Sequence, residues 1–331
     1  MPRIGMNPGR GKESGITPAR VTAAVLTYVP TDVGYFQDRF DVMRVCIESL
    51  IKNTNTPIDL MVFDNASSPR VVDYLTRQYE SGNIDYLMLS SRNIGKINAL
   101  QFLFKSAPGE VIAYCDDDVF HLPGWLERHL EVLDTYPNVG MVTGMYIKTQ
   151  MKYSIKSTLD FSSQRGVKRE EGALVEKDLE QHYIENMGRT WDQYRQEIDG
   201  LQDIRLTYQG IQTFVSAGHH QFVGFKDRLL KAMPSQWHSQ LMGQMRELDA
   251  AIDNLGFLRL STTPVTVRLL GNRINEKSAQ FIRKFDIDVK GVVDDKPMAA
   301  WKIKLFRSSP VQKLAYFFYQ RLFKIINAGQ K

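Results

Sequence analysis

The chain has 331 residues, of which 43% are apolar and 24% charged, enough for a substantial core and too apolar for a disordered or fibrous chain. Its 42 Lys and Arg against 37 Asp and Glu give a net charge of +5, but residues 296–331 hold eight basic and no acidic side chains. Residues 1–295 therefore carry a net charge of −3. No zinc-ligand or RNA-binding motif accompanies the basic tail, so nucleic acid is not expected as a partner.

The N-terminal residues 1–20 are rich in Gly, Pro and basic side chains without periodicity, which predicts a flexible arm. No signal-peptide core and no run of 18 apolar residues occurs, so no membrane span is expected. The two cysteines, Cys46 and Cys115, stand in separate apolar runs and predict neither a disulfide nor a zinc site. A reducing, cytoplasmic setting is therefore expected.

From residue 21 onward, short β-branched apolar runs alternate with stretches of helical period, the pattern of βα units. Strands are predicted at 21–28, 58–63, 84–89, 111–115 and 139–143, with helices at 36–53, 69–80, 96–106 and 124–135. The later strands are predicted at 213–216, 221–225, 257–260 and 265–269, with a helix at 240–255. The pattern predicts an α/β fold with a mostly parallel sheet flanked by helices.

Two segments stand outside this alternation. Residues 149–210 are polar and charged, which predicts a helical or partly mobile insertion. The C-terminal tail, residues 276–331, is basic and aromatic and contains an amphipathic helix predicted at 311–327. This profile is typical of a helix that lies on an anionic membrane surface, and a helix docked on the body or in a dimer contact fits it equally well.

The strongest local feature is the run Asp116-Asp117-Asp118 at the exit of an apolar strand. Neighbouring carboxylates repel one another, and a divalent cation relieves that repulsion. Ligands of open α/β sheets bind beyond the carboxyl ends of the strands, where Asp116 and Asp118 can converge on Mg²⁺ or Mn²⁺ that also bridges two phosphates. A solvated acidic turn is the alternative.

Two other predicted strands also end in polar residues, the first in Thr27-Tyr28 and the second in Asp64. A buried aspartate at a strand end can accept a hydrogen bond from a pyrimidine N–H or a ribose hydroxyl. An Asx turn leading into the next helix is equally compatible with Asp64. Three strand ends would then present polar groups to one edge of the sheet.

The three polar strand ends and the stretch from Arg92 to Ala99 follow one another in a characteristic order and spacing. Across residues 21–145 this arrangement resembles the inverting, family 2 type of GT-A glycosyltransferase. The resemblance implies a Rossmann-like GT-A fold, a UDP- or GDP-sugar donor, a glycan or lipid-linked acceptor, and Mn²⁺ or Mg²⁺. It implies that Asp64 contacts the base and that Asp116 and Asp118 hold the ribose and the metal-bound diphosphate. It further places in the donor nucleotide pocket Thr27, Tyr28, Asn93, Lys96, Asn98 and Asp117.

Transfer also needs a base that takes the proton of the acceptor hydroxyl. The resembled family draws it from an acidic pair late in the domain, here Asp249, with Glu247 as the near alternative. On a helix Asp249 shares a face with Arg246 and Asp253, whereas Glu247 points elsewhere, which favours Asp249. An ordinary exposed charged helix is the alternative.

Two features depart from the family pattern or extend it. The histidine that completes many GT-A metal sites after the last strand is absent, so either Asp118, phosphates and water suffice for the metal, or Arg268 or Arg273 takes over part of the charge neutralisation. His219 and His220 are expected to contact the acceptor or the diphosphate, although hydrogen-bonded histidines in a turn fit the same pattern.

We therefore predict a GT-A-like catalytic domain at 21–275 that contains the insertion 149–210 and is followed by the tail. Its predicted activity is that of a hexosyltransferase, moving a sugar from a nucleoside diphosphate to an acceptor hydroxyl with inversion. A peripheral position at the inner face of the membrane is expected if the tail binds lipid. The alternatives are a nucleotidyltransferase of similar fold and a non-catalytic protein that binds a membrane or partner.

Overall fold

The computed structural model describes residues 5–242 and 245–293. The strands in these ranges are β1 (Val21–Thr27), β2 (Ile58–Asp64), β3 (Tyr86–Leu89), β4 (Val111–Asp116), β5 (Val119–His121), β6 (Val139–Thr143), β7 (Val167–Gly172), β8 (Asp203–Tyr208), β9 (Ile211–Val215), β10 (Gln221–Phe225), β11 (Leu258–Thr262) and β12 (Val267–Leu269). The helices are α1 (Arg39–Lys52), α2 (Pro69–Glu80), α3 (Lys96–Ser106), α4 (Trp125–Thr135), α5 (Lys156–Ser162), α6 (Lys177–Asn186), α7 (Trp191–Glu197), α8 (Lys226–Ala232), α9 (Met245–Asn254) and α10 (Glu276–Arg283). The helix predicted at 311–327 lies outside the described residues.

Ten of the strands form one sheet in the order β3-β2-β1-β4-β10-β6-β11-β9-β8-β7. The strands β3, β2, β1 and β4 are parallel, whereas β10 runs antiparallel between β4 and β6. The far half, from β11 to β7, is antiparallel. The predicted α/β class with flanking helices is confirmed, and the sheet is parallel in the half that contains the first three polar strand ends.

The first strand lies inside the sheet between β2 and β4, and all seven of its residues are buried. Its alternate side chains enter two separate apolar layers, Val25 on one face and Ala24 on the other. Helices α1, α2 and α4 cover the first face, while α3, α8 and α9 cover the second. Burial on both faces explains why the run is continuously apolar rather than alternating.

The segment 149–210 is folded and belongs to the sheet. It contains α5, α6 and α7, and its strands β7 and β8 pair antiparallel and extend the sheet beyond β9. The edge strand β7 reads Val-Lys-Arg-Glu-Glu-Gly, a charged sequence that discourages pairing with another chain.

The first residues of the predicted tail pack on the body. Helix α10 places Ala279 and Ile282 against Val42 and Val45 of α1, with Phe120 of β5 in the same cluster. Within residues 5–242 and 245–293, no helix is both long and apolar enough to cross a membrane.

Two histidines lie in the core between β5 and α4. His121 and His129 are fully buried, and the ring of His121 packs 4.5 Å from that of Trp125. His129 contacts the Trp125 carbonyl through Nδ1 and Gln221 through Nε2, whereas the ring nitrogens of His121 meet no partner in the described part of the chain. Burial lowers the pKa of His121 to about 3 and that of His129 to about 4.

These histidines predict a loss of stability in acid. The unfolded chain binds protons at the ordinary histidine pKa of about 6.5, and the folded chain does not, so stability is complete above that pH and falls as the pH drops below it. Between pH 7 and pH 5 each histidine should remove on the order of 1–2 kcal/mol from the free energy of unfolding. Urea unfolding of the wild type and of His121→Phe checks this. An identical pH slope in both proteins would contradict it.

Candidate functional site

Three polar strand ends meet at one edge of the sheet. The register pairs Thr27 with Asp64 across β1 and β2, and Leu26 with Asp116 across β1 and β4. The chain moves outward from β1 to β3 and then crosses back to β4, so the direction of winding changes between β1 and β4. Such a switch point opens a crevice at the carboxyl ends of the strands.

Asp64 lies at this edge with only 1% of its surface exposed. Its Oδ2 accepts a hydrogen bond from the backbone N–H of Ser67 at 3.1 Å, so the Asx-type turn is present. Its Oδ1 is buried and accepts none within the described ranges. Burial raises the pKa of Asp64. One oxygen therefore remains available to a donor that the protein itself does not supply.

Asp117 points inward and ties β4 to β1. Its Oδ2 accepts from Thr27 Oγ1 at 2.7 Å and from the Tyr28 backbone N–H at 3.4 Å, and its Oδ1 accepts from Arg39 Nη2. Thr27 is itself fully buried. Thr27 and Asp117, both predicted to contact the donor, are thus bonded to each other in the ligand-free structure.

Asp116 is held by Lys96, whose Nζ lies 2.6 and 2.8 Å from the two carboxylate oxygens. The Tyr114 hydroxyl also donates to it. Burial favours the neutral acid, but Lys96 and Tyr114 outweigh burial, so the pKa of Asp116 is lowered. The structure thereby brings two residues of the predicted donor pocket, Lys96 and Asp116, into direct contact.

Asp118 and Asp117 share a cation that the sequence analysis did not find, Arg39. Its Nη1 donates to Asp118 Oδ2 at 3.1 Å and to the Gly271 carbonyl at 3.0 Å. Burial raises the pKa of Asp118 to about 6, with Asp116 and Asp117 adding to the rise and Arg39 opposing it. The sequence held one signal that Arg39 has a special partner. Arg39 is a basic residue in the first turn of α1, where the helix dipole disfavours positive charge.

Asp116 and Asp118, the two residues predicted to converge on one ion, both lie at the carboxyl end of β4. Within the described ranges no three His, Cys, Asp or Glu side chains are grouped as a metal site. In the ligand-free arrangement Asp116 is paired with Lys96 and Asp118 with Arg39. Both carboxylates nevertheless keep about a quarter of their side-chain surface exposed, 26% for Asp116 and 27% for Asp118.

Arg268, predicted to help neutralise this charge, lies elsewhere. Its guanidinium stacks on the Phe281 ring at 4.4 Å, and no contact with the three carboxylates occurs in the described part of the chain. Its place at the carboxylates is taken by Arg39.

The N-terminus of α3 is closed by the protein itself. The Ile94, Gly95 and Lys96 backbone N–H groups donate to Asn65 Oδ1, Asn93 Oδ1 and the Leu241 carbonyl. The start of α3 is therefore a capped turn whose backbone N–H groups are engaged within the protein. Gly95, at φ 84°, is needed because a Cβ there would lie 3.0 Å from the Gln240 carbonyl oxygen.

Asn98 anchors the same loop. It is 1% exposed, its amide donates to the carbonyls of Ile94 and His238, and its Oδ1 accepts from the His238 backbone N–H. Asn93 likewise accepts from Asn65 Nδ2 at 3.0 Å and acts as a cap. Of Asn93, Lys96 and Asn98, it is Lys96 whose side chain reaches a strand-end carboxylate, that of Asp116.

The predicted base, Asp249, is fully buried on α9. Its Oδ2 lies 2.9 Å from His219 Nδ1, and its Oδ1 lies 2.9 Å from Nη2 of Arg259, which is also fully buried. Glu247 points to solvent in the first turn of α9, as the helical spacing predicted. The structure thus joins two predicted site residues, Asp249 and His219, and leaves Glu247 apart from them.

His220 lies beside Asp116. Its carbonyl accepts the Asp116 backbone N–H at 2.8 Å, and its ring Nε2 is buried without a partner within residues 5–242 and 245–293. Burial, with a smaller effect of the neighbouring His219, lowers the pKa of His220 to about 4. The histidine pair therefore borders the strand-end carboxylates.

Polar strand ends at the switch point of a sheet ordered β3-β2-β1-β4 define a Rossmann-like α/β domain of the GT-A type. Residues 36–189 match the family model of glycosyl transferase family 2. The match covers just under half of the chain, and it confirms the resemblance predicted from the sequence motifs.

An uncharacterised glycosyltransferase of Nostoc sp. (strain PCC 7120) is 29% identical to the chain over 96 residues, which make up 29% of this chain and 30% of that protein. The structure of residues 1–349 of S. aureus TarS is 13% identical, covering 82% of this chain and 66% of its own, with a TM-score of 0.44. The mannosyltransferase PcManGT of Pyrobaculum calidifontis, solved with GDP-Man and Mn²⁺, is 21% identical over 42% of this chain and 40% of its own, with a TM-score of 0.32. The chain thus spans less than a third of the Nostoc protein and two fifths of PcManGT.

Proposed function

We propose that the domain transfers a hexose from a UDP- or GDP-sugar to the hydroxyl of a glycan or lipid-linked acceptor, with inversion. The observation that carries the proposal is the buried, unpartnered Oδ1 of Asp64 at the carboxyl end of β2. A buried carboxylate oxygen without a donor is costly, and an N–H of a nucleotide base or a ribose hydroxyl satisfies it. The family 2 match to residues 36–189 supports a sugar-transfer reaction at this edge.

With the nucleotide base bound at Asp64, the diphosphate would reach the carboxyl end of β4. Lys96, at 17% side-chain exposure, stands beside Asp116 where the phosphates would lie. Its ammonium group can exchange the carboxylate for a phosphate oxygen and so stabilise the negative charge of the leaving group. Sugar transfer would then proceed as one in-line displacement, with the acceptor on the face of the sugar opposite the diphosphate.

The donor atoms at the end of β4 also fit a divalent cation. Asp116 and Asp118 are partly exposed, and carboxylate oxygens are the ligands that Mg²⁺ and Mn²⁺ prefer. These two residues would hold the ion, which would supply further neutralisation of the leaving diphosphate. In the ligand-free arrangement Lys96 and Arg39 provide the positive charge at the same carboxylates.

A thermal-shift panel tests the proposal. UDP, GDP, UMP, GMP and ATP would be offered at 1 mM with and without Mn²⁺. We expect one diphosphate, at about 100 times its Kd, to add about 2.7 kcal/mol of stability, which corresponds to a rise in Tm of several degrees. Asp118→Asn should lose the part of this rise that depends on Mn²⁺. Stabilisation by ATP alone would favour a nucleotidyltransferase, and no response to any nucleotide would overturn the proposal.

A further inference from the structure

We propose that His219 is the base that takes the proton of the acceptor hydroxyl, and that Asp249 and Arg259 are the residues that position it. The inference rests on the proposed sugar transfer and names the group that the reaction requires opposite the leaving diphosphate. It replaces the expectation that Asp249 contacts the acceptor directly.

The location of His219 follows from the strand pairing. Strand β10 begins at Gln221, which pairs with Cys115 of β4, so the residues before β10 lie at the carboxyl end of β4. The bond from the Asp116 N–H to the His220 carbonyl fixes this arrangement. His219 therefore borders the carboxylates at which the diphosphate is proposed to bind.

Asp249 itself is closed to an acceptor. It has no exposed surface, its Oδ2 faces His219, and its Oδ1 faces Arg259 at 2.9 Å. Arg259 is in turn held by the carbonyls of Tyr153, Ser154 and Ala217. A hydroxyl could reach Asp249 only by entering a fully buried site and separating the carboxylate from His219 or from its ion pair with Arg259, which is strongly unfavourable.

The same contacts prepare His219 for proton transfer. An ionised carboxylate only accepts hydrogen bonds, so the 2.9 Å contact assigns the ring proton of neutral His219 to Nδ1 and leaves the lone pair on Nε2. The side chain is 26% exposed, which gives an acceptor access to it. Arg259 lies 2.9 Å from Asp249 Oδ1 and holds that carboxylate in place, and the negative charge of Asp249 stabilises the imidazolium that proton transfer creates.

The acceptor O–H gives its proton to Nε2 of His219 while its oxygen forms the bond to the anomeric carbon. The bond from that carbon to the diphosphate breaks, and its electron pair stays on the diphosphate oxygen. His219 then releases the proton to solvent through its exposed edge, and no redox partner is required.

Kinetic measurements on two variants test the roles of His219 and Asp249. Hydrolysis of UDP-glucose, UDP-N-acetylglucosamine and GDP-mannose would be screened, because water can replace the acceptor, and the donor that wild type hydrolyses would be used throughout. We expect His219→Ala to lower kcat by about 10²- to 10⁴-fold with little change in KM, and imidazole to restore part of the rate. Asp249→Asn should lower kcat and move the acidic limb of the pH–rate profile to lower pH.

The matched control is Asp253→Asn, one turn further along α9. Asp253 caps α5 through the Ser157 N–H and hydroxyl, so its replacement tests a structural change on the same helix without touching His219. We expect it to affect Tm and to leave the pH profile unchanged. If Glu247→Gln abolishes hydrolysis while His219→Ala retains it, the base is Glu247 and the inference is overturned.

A second readout needs no donor. In nitrogen-15 NMR spectra of the full chain, His219 should carry its proton on Nδ1 in the wild type and lose this preference in Asp249→Asn. A wild-type spectrum with the proton on Nε2 overturns the inference even if transfer is demonstrated. Absence of hydrolysis of every donor together with absence of nucleotide binding would instead count against the proposed function, so the two failures are distinguishable.

Discussion

Replacement of Arg39 by methionine is expected to lower the free energy of unfolding by about 3–5 kcal/mol at pH 7. Arg39 is 7% exposed and pairs with both Asp117 and Asp118, so its loss leaves two carboxylates at the centre of the sheet edge without their cation. Methionine keeps much of the volume, which separates the loss of charge from the loss of packing. Urea unfolding monitored by circular dichroism measures the change.

The loss of stability in Arg39→Met should depend on pH. Burial already raises the pKa of Asp118 to about 6, and removal of Arg39 should raise it further. A carboxyl group with a raised pKa in the folded state contributes stability that is present at low pH and lost as the pH rises. The gap between Arg39→Met and wild type should therefore be widest near pH 8 and narrow towards pH 5.

Arg195→Met is the matched control, because Arg195 is 67% exposed and pairs with Asp192 one turn away on α7. Exposed pairs of this kind contribute about 1 kcal/mol or less. Equal losses in the two variants would mean that the buried pairs of Arg39 add nothing beyond an ordinary surface pair.

The first half of the fold is predictable because its strands and helices carry local signals. Helices α2 and α3 begin and end where the sequence predicts them, and Pro69 marks the start of α2. The antiparallel half is not predictable in the same way. A strand buried on both faces is an apolar run whether it pairs parallel or antiparallel, so the pattern does not reveal its direction. Strand β7 was missed because an edge strand of charged residues resembles a loop.

The candidate site shows the same division. The positions of Asp64 and Asp116 at strand ends follow from the apolar runs before them, and the register brings them to one edge. Their partners do not follow, because Arg39 meets Asp117 across 78 residues of sequence. Such pairing is decided by tertiary packing, which no local pattern encodes.

On α9 the helical spacing predicted that Asp249 and Glu247 point in different directions, but it did not predict the partners of Asp249. The spacing separated Asp249 from Glu247, and the structure confirms that one is buried and the other exposed. The buried face, however, is the one that meets Arg259 from β11 and His219 from the turn before β10. Burial thus makes Asp249 a partner of the accessible histidine.

Replacement of Asp64 by asparagine is expected to weaken binding of the preferred nucleoside diphosphate by about 10- to 100-fold, the effect of losing one hydrogen bond to a charged group, about 1.5–3 kcal/mol. Asp64 Oδ1 is buried and unpartnered, and asparagine would present an N–H group where the nucleotide presents its own donor. Isothermal titration with UDP and GDP measures the loss. Asp59→Asn, at the opposite end of β2 where Asp59 accepts the Ala19 N–H, is the control and should bind as wild type does.

The same substitution should stabilise the ligand-free protein by about 1 kcal/mol at pH 8, because it removes a buried carboxylate oxygen that has no partner. Burial raises the pKa of Asp64, so the wild type loses stability as the pH rises through that pKa, and the variant escapes this loss. The gain should therefore shrink towards pH 5. A protein that became more stable and lost nucleotide affinity would show that Asp64 is retained for binding, whereas unchanged affinity in Asp64→Asn would remove the observation on which the proposed donor site depends.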